Sequence, residues 1–347
     1  MSVNKSSGSS ISRSVRRRQL AAVLIGLAAL VGLLFAGSLA VLLYGRWARA
    51  PFSTSSRPVR VTVPAGATAA SVARDLEAKH LIRSTRALTA AAKNGSVVPG
   101  VYDIAPNESA ARIAARLSRG DVVTVRVTFP EGFTVKQMAR RLERNHLADE
   151  ATFLPLVTTQ GSTVSPHAPA NLEGYLFPDT YRFPLGATPQ QIAARMCGTF
   201  DVVFAKKYAT EIAASGRSLS DIVTVASMVE REAETDADRP VIASVIYNRL
   251  RRGMRLQIDA TVEYALPEHK ARLLYADLKT DSPYNTYRVA GLPPTPICCP
   301  GKPSLLAALH PAASDYLYYV ARKGGAHIFA RTEAEHNKNV RAYRAGR

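Results

Sequence analysis

The first 60 positions show no amphipathic pattern at all. Residues 20–44, LAAVLIGLAALVGLLFAGSLAVLLY, hold 25 residues without a charge. A helix of that length is about 37 Å long, enough to cross a hydrocarbon core of about 30 Å. Arg16, Arg17 and Arg18 precede the run, and Arg46 and Arg49 follow it. The excess before the run predicts a cytoplasmic N-terminus. The competing reading is a cleaved signal peptide, since Ala48-Arg49-Ala50 has the small-x-small form. The run exceeds an h-region of 7 to 15 residues, which favours an uncleaved anchor. Residues 1–19 read as a disordered Ser- and Arg-rich tail, and 45–60 as a linker.

Short alternating stretches and amphipathic helices follow, and they echo one another. VTVPAGATAASVARDLEAKHL (61–81) and VTFPEGFTVKQMARRLERNHL (127–147) both read as strand, Pro-x-Gly turn, hydroxyl N-cap and apolar helix. A shorter capped-helix pattern, with an apolar residue at i+4 and Ala at i+5, starts at Thr68, Ser109, Thr134 and Thr188. The long echo favours duplicated α+β modules over chance. Modules of this size resemble LysM-type glycan binders. The predicted units are 61–125 and a smaller module or connector over 126–170.

From about residue 171 the pattern becomes mostly helical. Helices are expected over 189–215, over 221–234 with Ser220 as cap, over 239–252 with Gly253 as stop, and over 260–266 with Asp259 as cap. Residues 281–304 form a long loop rich in Pro and Gly, whose tyrosines and apolar residues argue for order. Residues 316–321 and 326–331 read as strands joined across Gly324-Gly325. The fold class is therefore α+β: one transmembrane helix, small α+β modules, and a helix-rich α+β domain over 171–347.

Charge changes the picture of partners. The chain of 347 residues has 45 Lys and Arg against 27 Asp and Glu, a formal +18. No acid occurs before Asp75, and ten bases do. What remains is a mild excess that suits an anionic glycan or membrane face. A nucleic-acid role is the weakest reading, because the densest basic cluster flanks the apolar run, where topology accounts for it. Cys197, Cys298 and Cys299 make an odd count without a C-x-x-C spacing, so buried free thiols are expected. No histidine spacing suggests a metal, and no cofactor is expected.

The candidate chemistry lies in VASMVEREAETD (225–236). Ile222, Val225, Ala226, Val229 and Ala233 form one apolar stripe. Glu230 and Glu232 fall about 80° to either side of Ile222, and Glu234 lies farther out. A carboxyl at the edge of an apolar face can be desolvated and serve as a general acid. It can equally be a solvated border residue, paired with Arg231 or Arg239. Spacing leaves Glu230 and Glu232 level.

The segments NLEGYLFPDTY, ASMVEREA, ASVIYNRL, MRLQIDATVEYAL, YNTYRVAGLPPTPI, LHPAASDYLYYVA and HNKNV closely resemble the YceG-like endolytic murein transglycosylase family, over roughly 61–340. The resemblance implies that Glu230, the first Glu of ASxVExE, is the catalytic acid. It implies a lyase that cuts the β-1,4 bond between N-acetylmuramic acid and N-acetylglucosamine in peptidoglycan, leaving a 1,6-anhydro ring. It also implies a single-pass inner-membrane protein with its catalytic domain outside the cytoplasm, working beside cell-wall synthesis proteins. Gln257, Tyr284, Asn285 and Thr286, in the family's motif segments, could line a sugar cleft or serve as loop architecture. Glu173 and Asp179 fit capping or turn bonding better than catalysis, and Asp259 fits a cap better than a base. His310, His327 and His336 are expected to hold loops. The alternatives are a non-catalytic glycan-binding scaffold and a water-using muramidase.

Overall fold

A computed structural model of the chain describes residues 10–92, 95–165, 168–268, 270, 273–322 and 325–345. Helix α1 runs Ser10–Arg49. Within Arg16–Arg49 an 18-residue window has a mean hydropathy of 2.6 and none of it is buried. The apolar run thus has the length and composition of a membrane span. The tail expected over 1–19 is partly corrected: helix begins at Ser10, and residues 1–9 lie outside the described residues.

The chain divides into two compact units, residues 1–123 and 124–347. In the first, α1 is followed by β1 (Val59–Val63), α2 (Ala69–Ala78), α3 (Thr85–Ala91), β2 (Gly100–Ile104) and α4 (Ala110–Arg119). β1 and β2 pair antiparallel, with Val61 opposite Tyr102. Val61, Val63, Leu76, Leu88, Tyr102, Ile113 and Leu117 close a core of their own. The polar stretch after α1 is pinned rather than free: Arg83 Nε donates to the Pro51 carbonyl at 2.7 Å, and Phe52 stacks on His80.

The second unit opens with the same succession: β3 (Thr124–Thr128), α5 (Val135–Arg144), α6 (Glu150–Thr159), β4 (Thr180–Pro184) and α7 (Pro189–Phe200). β3 and β4 pair antiparallel, with Val127 opposite Tyr181. This pairing spans residue 170, where the sequence suggests a boundary. The four hydroxyls of the short repeated pattern each cap a helix, Thr68 on α2, Ser109 on α4, Thr134 on α5 and Thr188 on α7. The echo extends to details that hydropathy cannot show. His80 and His146 both end their helices with positive φ, 55° and 53°. Tyr102 and Tyr181 each donate to the carbonyl four residues earlier, at 2.7 Å.

Beyond α7 the chain makes a π-helical turn at Asp201–Ala205 and then α8 (Ala209–Ala214), so the helix expected over 189–215 is interrupted. Helix α9 (Leu219–Glu232) follows, then α10 (Arg239–Arg251), α11 (Asp259–Ala265), α12 (Lys302–Leu309), β5 (Tyr318–Ala321), β6 (His327–Ala330) and α13 (Glu333–Ala345). Ser218, not Ser220, caps α9: its hydroxyl accepts from Asp221 N. The helix therefore starts two residues early and ends at Glu232, leaving Glu234 beyond its last turn. Asp259 is not the cap of α11 but its first residue, and it accepts from the Tyr287 hydroxyl. Strands β5 and β6 pair antiparallel as expected; of the residues joining them, Arg322, Gly325 and Ala326 lie among the described residues.

Helix α9 buries every residue from Ile222 to Val229, since it packs between α10 and α12. A helix enclosed on that many sides has no solvent face along its middle. Only its two ends can present polar groups, and the C-terminal turn carries Glu230, Arg231 and Glu232. The loop expected over 281–304 is ordered by the same helix. Ile297 N donates to Ser227 Oγ at 3.0 Å, and Cys298 and Cys299 are fully buried.

Candidate active site

Glu230 leaves the end of α9 with a side chain only 7% exposed. One oxygen, Oε2, is engaged twice. Gly301 N, at the N-cap of α12, donates to it at 3.0 Å, and the Arg239 guanidinium lies 3.5 Å away. The α12 N-terminus and the cation both favour negative charge there. Among the described residues nothing bonds Oε1. The carboxyl is thus fixed through one oxygen and presents the other. Arg239 is itself held by Asp236 Oδ1 at 3.0 Å and by the Ser304 hydroxyl. Of the two arginines open at the sequence level, Arg239 is the partner, while Arg231 pairs with Glu263 at 3.2 Å.

The two border glutamates differ in environment. Glu232 accepts from the Tyr319 hydroxyl at 3.1 Å, and burial pushes its carboxyl up to about 7. Burial likewise raises Tyr319, with the neighbouring Glu232 charge adding to it. Asp236 is mostly in water, its side chain 84% exposed.

A third carboxyl enters from the turn between β3 and α5. Pro130-Glu131-Gly132-Phe133 is clamped to the segment at Cys299 by two backbone bonds, Gly132 N to Cys299 O at 3.0 Å and Cys299 N to Phe133 O at 2.8 Å. Glu131 then lies against Gly301: a Cβ there would fall 2.0 Å from its Oε1. Gly301 is the residue whose N–H holds Glu230. Glu131 is raised by partial burial first and by the Glu230 charge second, with Arg239 opposing.

Beneath this turn is Glu173, 1% exposed. Its carboxyl accepts Val135 N at the start of α5 (3.1 Å), the Tyr264 hydroxyl (3.1 Å) and the Cys299 thiol (3.8 Å). Burial pushes it up to about 8 despite these donors. It is the buried cap that the sequence suggests, and it ties α5, α11 and the Cys299 segment together. All three cysteines are free and buried, and burial raises their thiols, Cys197 to about 12.

The remaining sequence candidates sit around α11. Asn285 is fully buried and spends its amide on the Leu278 and Thr280 carbonyls. Thr286, also buried, accepts Ile258 N at 2.9 Å and meets the Thr261 hydroxyl. Tyr284 bonds Thr295 and packs on the Tyr264 ring. Gln257 is exposed, with a positive φ of 54°, and its backbone N–H donates to Thr286 O. His310 meets Glu211 at 2.7 Å, and His327 donates from its backbone to Asp238 at 2.8 Å. His336 Nδ1, buried, has no hydrogen-bond partner among the described residues; its ring stacks on Tyr318.

Glu131 is the residue that sequence reasoning misses. Its signal is within the echo itself: the first copy reads Pro-Ala-Gly where the second reads Pro-Glu-Gly.

A helical centre with an anchored, half-free carboxyl, fused to a βααβα unit in a chain that begins with a long apolar helix, defines the class. The chain belongs to the YceG-like family, which residues 61–342 match. It is 34% identical over 323 residues to the endolytic murein transglycosylase of Bacillus subtilis, covering 87% of this chain and 89% of that protein. A Streptococcus pneumoniae protein of the same name is 28% identical over 324 residues, and the alignment spans 59% of its length. The crystal structure of a yceG-like protein from Listeria monocytogenes matches with a TM-score of 0.57 at 35% identity, over 81% of this chain and 99% of that one.

Proposed function

We propose that the chain is an endolytic lytic transglycosylase of peptidoglycan, with Glu230 as acid and then base. The observation that carries this reading is the asymmetric anchoring of Glu230. Oε2 is held by Gly301 and Arg239, so Oε1 is the oxygen available to a glycosidic oxygen. Oε1 would protonate the leaving O4 as an oxocarbenium-like centre develops. The carboxylate left behind would take the proton of the muramic C6 hydroxyl, whose oxygen closes on C1. No water is consumed, and the proton lost in the first step is recovered in the second. The relatives' name, endolytic murein transglycosylase, supports the substrate class and the internal cut.

The two βααβ units read as LysM-like modules that meet glycan, the second, over 124–200, built into the catalytic unit. Helix α1 reads as a single-pass inner-membrane anchor with a cytoplasmic N-terminus and the rest of the chain outside. Exposed Gln257 and the Tyr284 ring would add sugar contacts; Asn285 and Thr286 would shape the loop behind them. The basic balance would suit anionic peptide stems.

One observation favours a second reading. Glu131 and Glu230 both touch Gly301, which bounds their separation at roughly 7–8 Å from covalent dimensions. Water-using glycosidases place their carboxyls about 5 to 9.5 Å apart. Product mass separates the two. The full chain in detergent, given uncrosslinked glycan strands, is expected to release fragments with anhydro ends. Fragments heavier by one water would establish a muramidase, and peptidoglycan binding without release would establish a scaffold.

A further inference from the structure

Three carboxyls surround one guanidinium at this centre. Glu230 comes from α9, Asp236 from the segment before α10, and Glu131 from the turn after β3; Arg239 opens α10. Arg231, the other cation nearby, is committed to Glu263. If all three acids ionise, one positive charge faces three negative ones. Asp236 is in water and bears its charge at little cost. Glu131 stands on an exposed turn and Glu230 is 7% exposed, yet both carboxyls meet Gly301, close enough for like charges to repel.

We propose that Glu131 is the second carboxyl of the reaction centre, coupled to Glu230 across Gly301, so that the pair rather than Glu230 alone carries the catalytic proton. This rests on the transglycosylase reading. Glu131 acts through Glu230 as a positioning residue. Its negative charge offsets that of Arg239 beside the Glu230 carboxyl. Once the proton has passed to the leaving oxygen, two carboxylates face the cationic sugar.

The geometry is built for this. The two backbone bonds to Cys299 fix the turn, and Glu173 fixes both Cys299 and the start of α5 from below. Gly132 has φ +77° and brings its backbone near Glu230, with a Cβ there 3.7 Å from Glu230 Cγ. A Cβ on Gly301 would meet the Glu131 carboxyl at 2.0 Å, so a substitution there would displace that side chain.

The test uses the full chain in detergent. Glu131→Gln should keep the wild-type melting temperature and KM while kcat falls by about 10- to 100-fold. The alkaline limb of its kcat profile should move to lower pH, because a neighbouring negative charge that kept the proton in place is gone. Glu131→Asp should recover part of the rate. Wild-type kcat and an unmoved pH profile in Glu131→Gln would overturn the proposal. So would a rate loss that parallels a loss of melting temperature and leaves the profile's shape unchanged.

A readout independent of activity accompanies it. In the chain labelled with carboxyl-¹³C glutamate, Glu131 should titrate above the ordinary carboxylate range and move down in Glu230→Gln. No movement overturns the coupling even if the wild type makes anhydro ends. Movement in a protein that makes none sinks the functional reading and leaves the coupled pair standing.

Discussion

The Pro-x-Gly turns of the two repeats are the same turn put to different use. Gly66 and Gly132 have the same φ, +77°. Thr68 and Thr134 close capping boxes at the same offset, with Ser71 and Gln137 as reciprocal partners. Between them, both copies leave the middle residue exposed, but the second, Glu131, reaches Gly301 with its carboxyl. Beneath the second turn is Glu173, buried and bonded to α5; the first copy's buried carboxyl, Glu108, instead accepts Ala105 N and pairs with Arg116. The turn geometry is therefore a property of the βααβα unit, and chemistry is added to it by one side chain and one buried strut. A duplicated module can acquire a catalytic contact without changing its backbone.

The largest break in that comparison should come from the strut. Glu173→Ala leaves Val135 N and the Tyr264 hydroxyl without their partner, which should cost about 3 kcal/mol in the unfolding free energy of the second unit. No substitution on the first turn has such a target. Urea unfolding read separately for the two units checks it.

A pH dependence should separate the units as well. Glu173 and Glu232 are raised to about 8 and about 7 when folded. The folded state then binds more protons than the unfolded one between about pH 4.5 and 8. Stability from these groups is full below that window and is lost as pH rises through it. The melting temperature of the second unit should fall from pH 5 to 8, and the slope should flatten in Glu173→Gln.

The glycines should cost less and divide by function. Gly66→Ala and Gly132→Ala force a side chain to positive φ, each at about 1 kcal/mol. Only Gly132→Ala should also lower turnover, because only that turn borders Glu230. Equal activity in the two variants would show that the turn's position does not matter to the reaction. Smallest of all is Ala65→Glu, which recreates the second copy's sequence on an exposed turn. It should change stability by less than about 0.5 kcal/mol and leave turnover as it was.

Periodicity and capping chemistry made most of the elements legible. The apolar run, the strands around Val61 and Val127, the four hydroxyl caps and the paired C-terminal strands are all local patterns. Errors fell where burial overrides local preference. Ser218 displaced Ser220 as the cap, and the 189–215 helix broke at a π-helical turn around buried Phe204. Glu230 was legible as one of two candidates. Its anchors Gly301 and Arg239 lie 71 and 9 residues away, and no spacing rule links them. Glu131, 99 positions before Glu230, was brought to the centre by backbone bonds to Cys299, a contact that exists only in the folded chain.

The central claim is that Glu230, rather than Glu232, carries the proton. The single-turnover rate of anhydro-end formation, measured for Glu230→Gln and Glu232→Gln in the full chain, tests it directly. Glu230→Gln should lose at least about 10³-fold with its melting temperature unchanged. Glu232→Gln should keep a rate within about tenfold of wild type, since it loses only a bond to Tyr319. An active Glu230→Gln beside an inactive, folded Glu232→Gln would contradict the account.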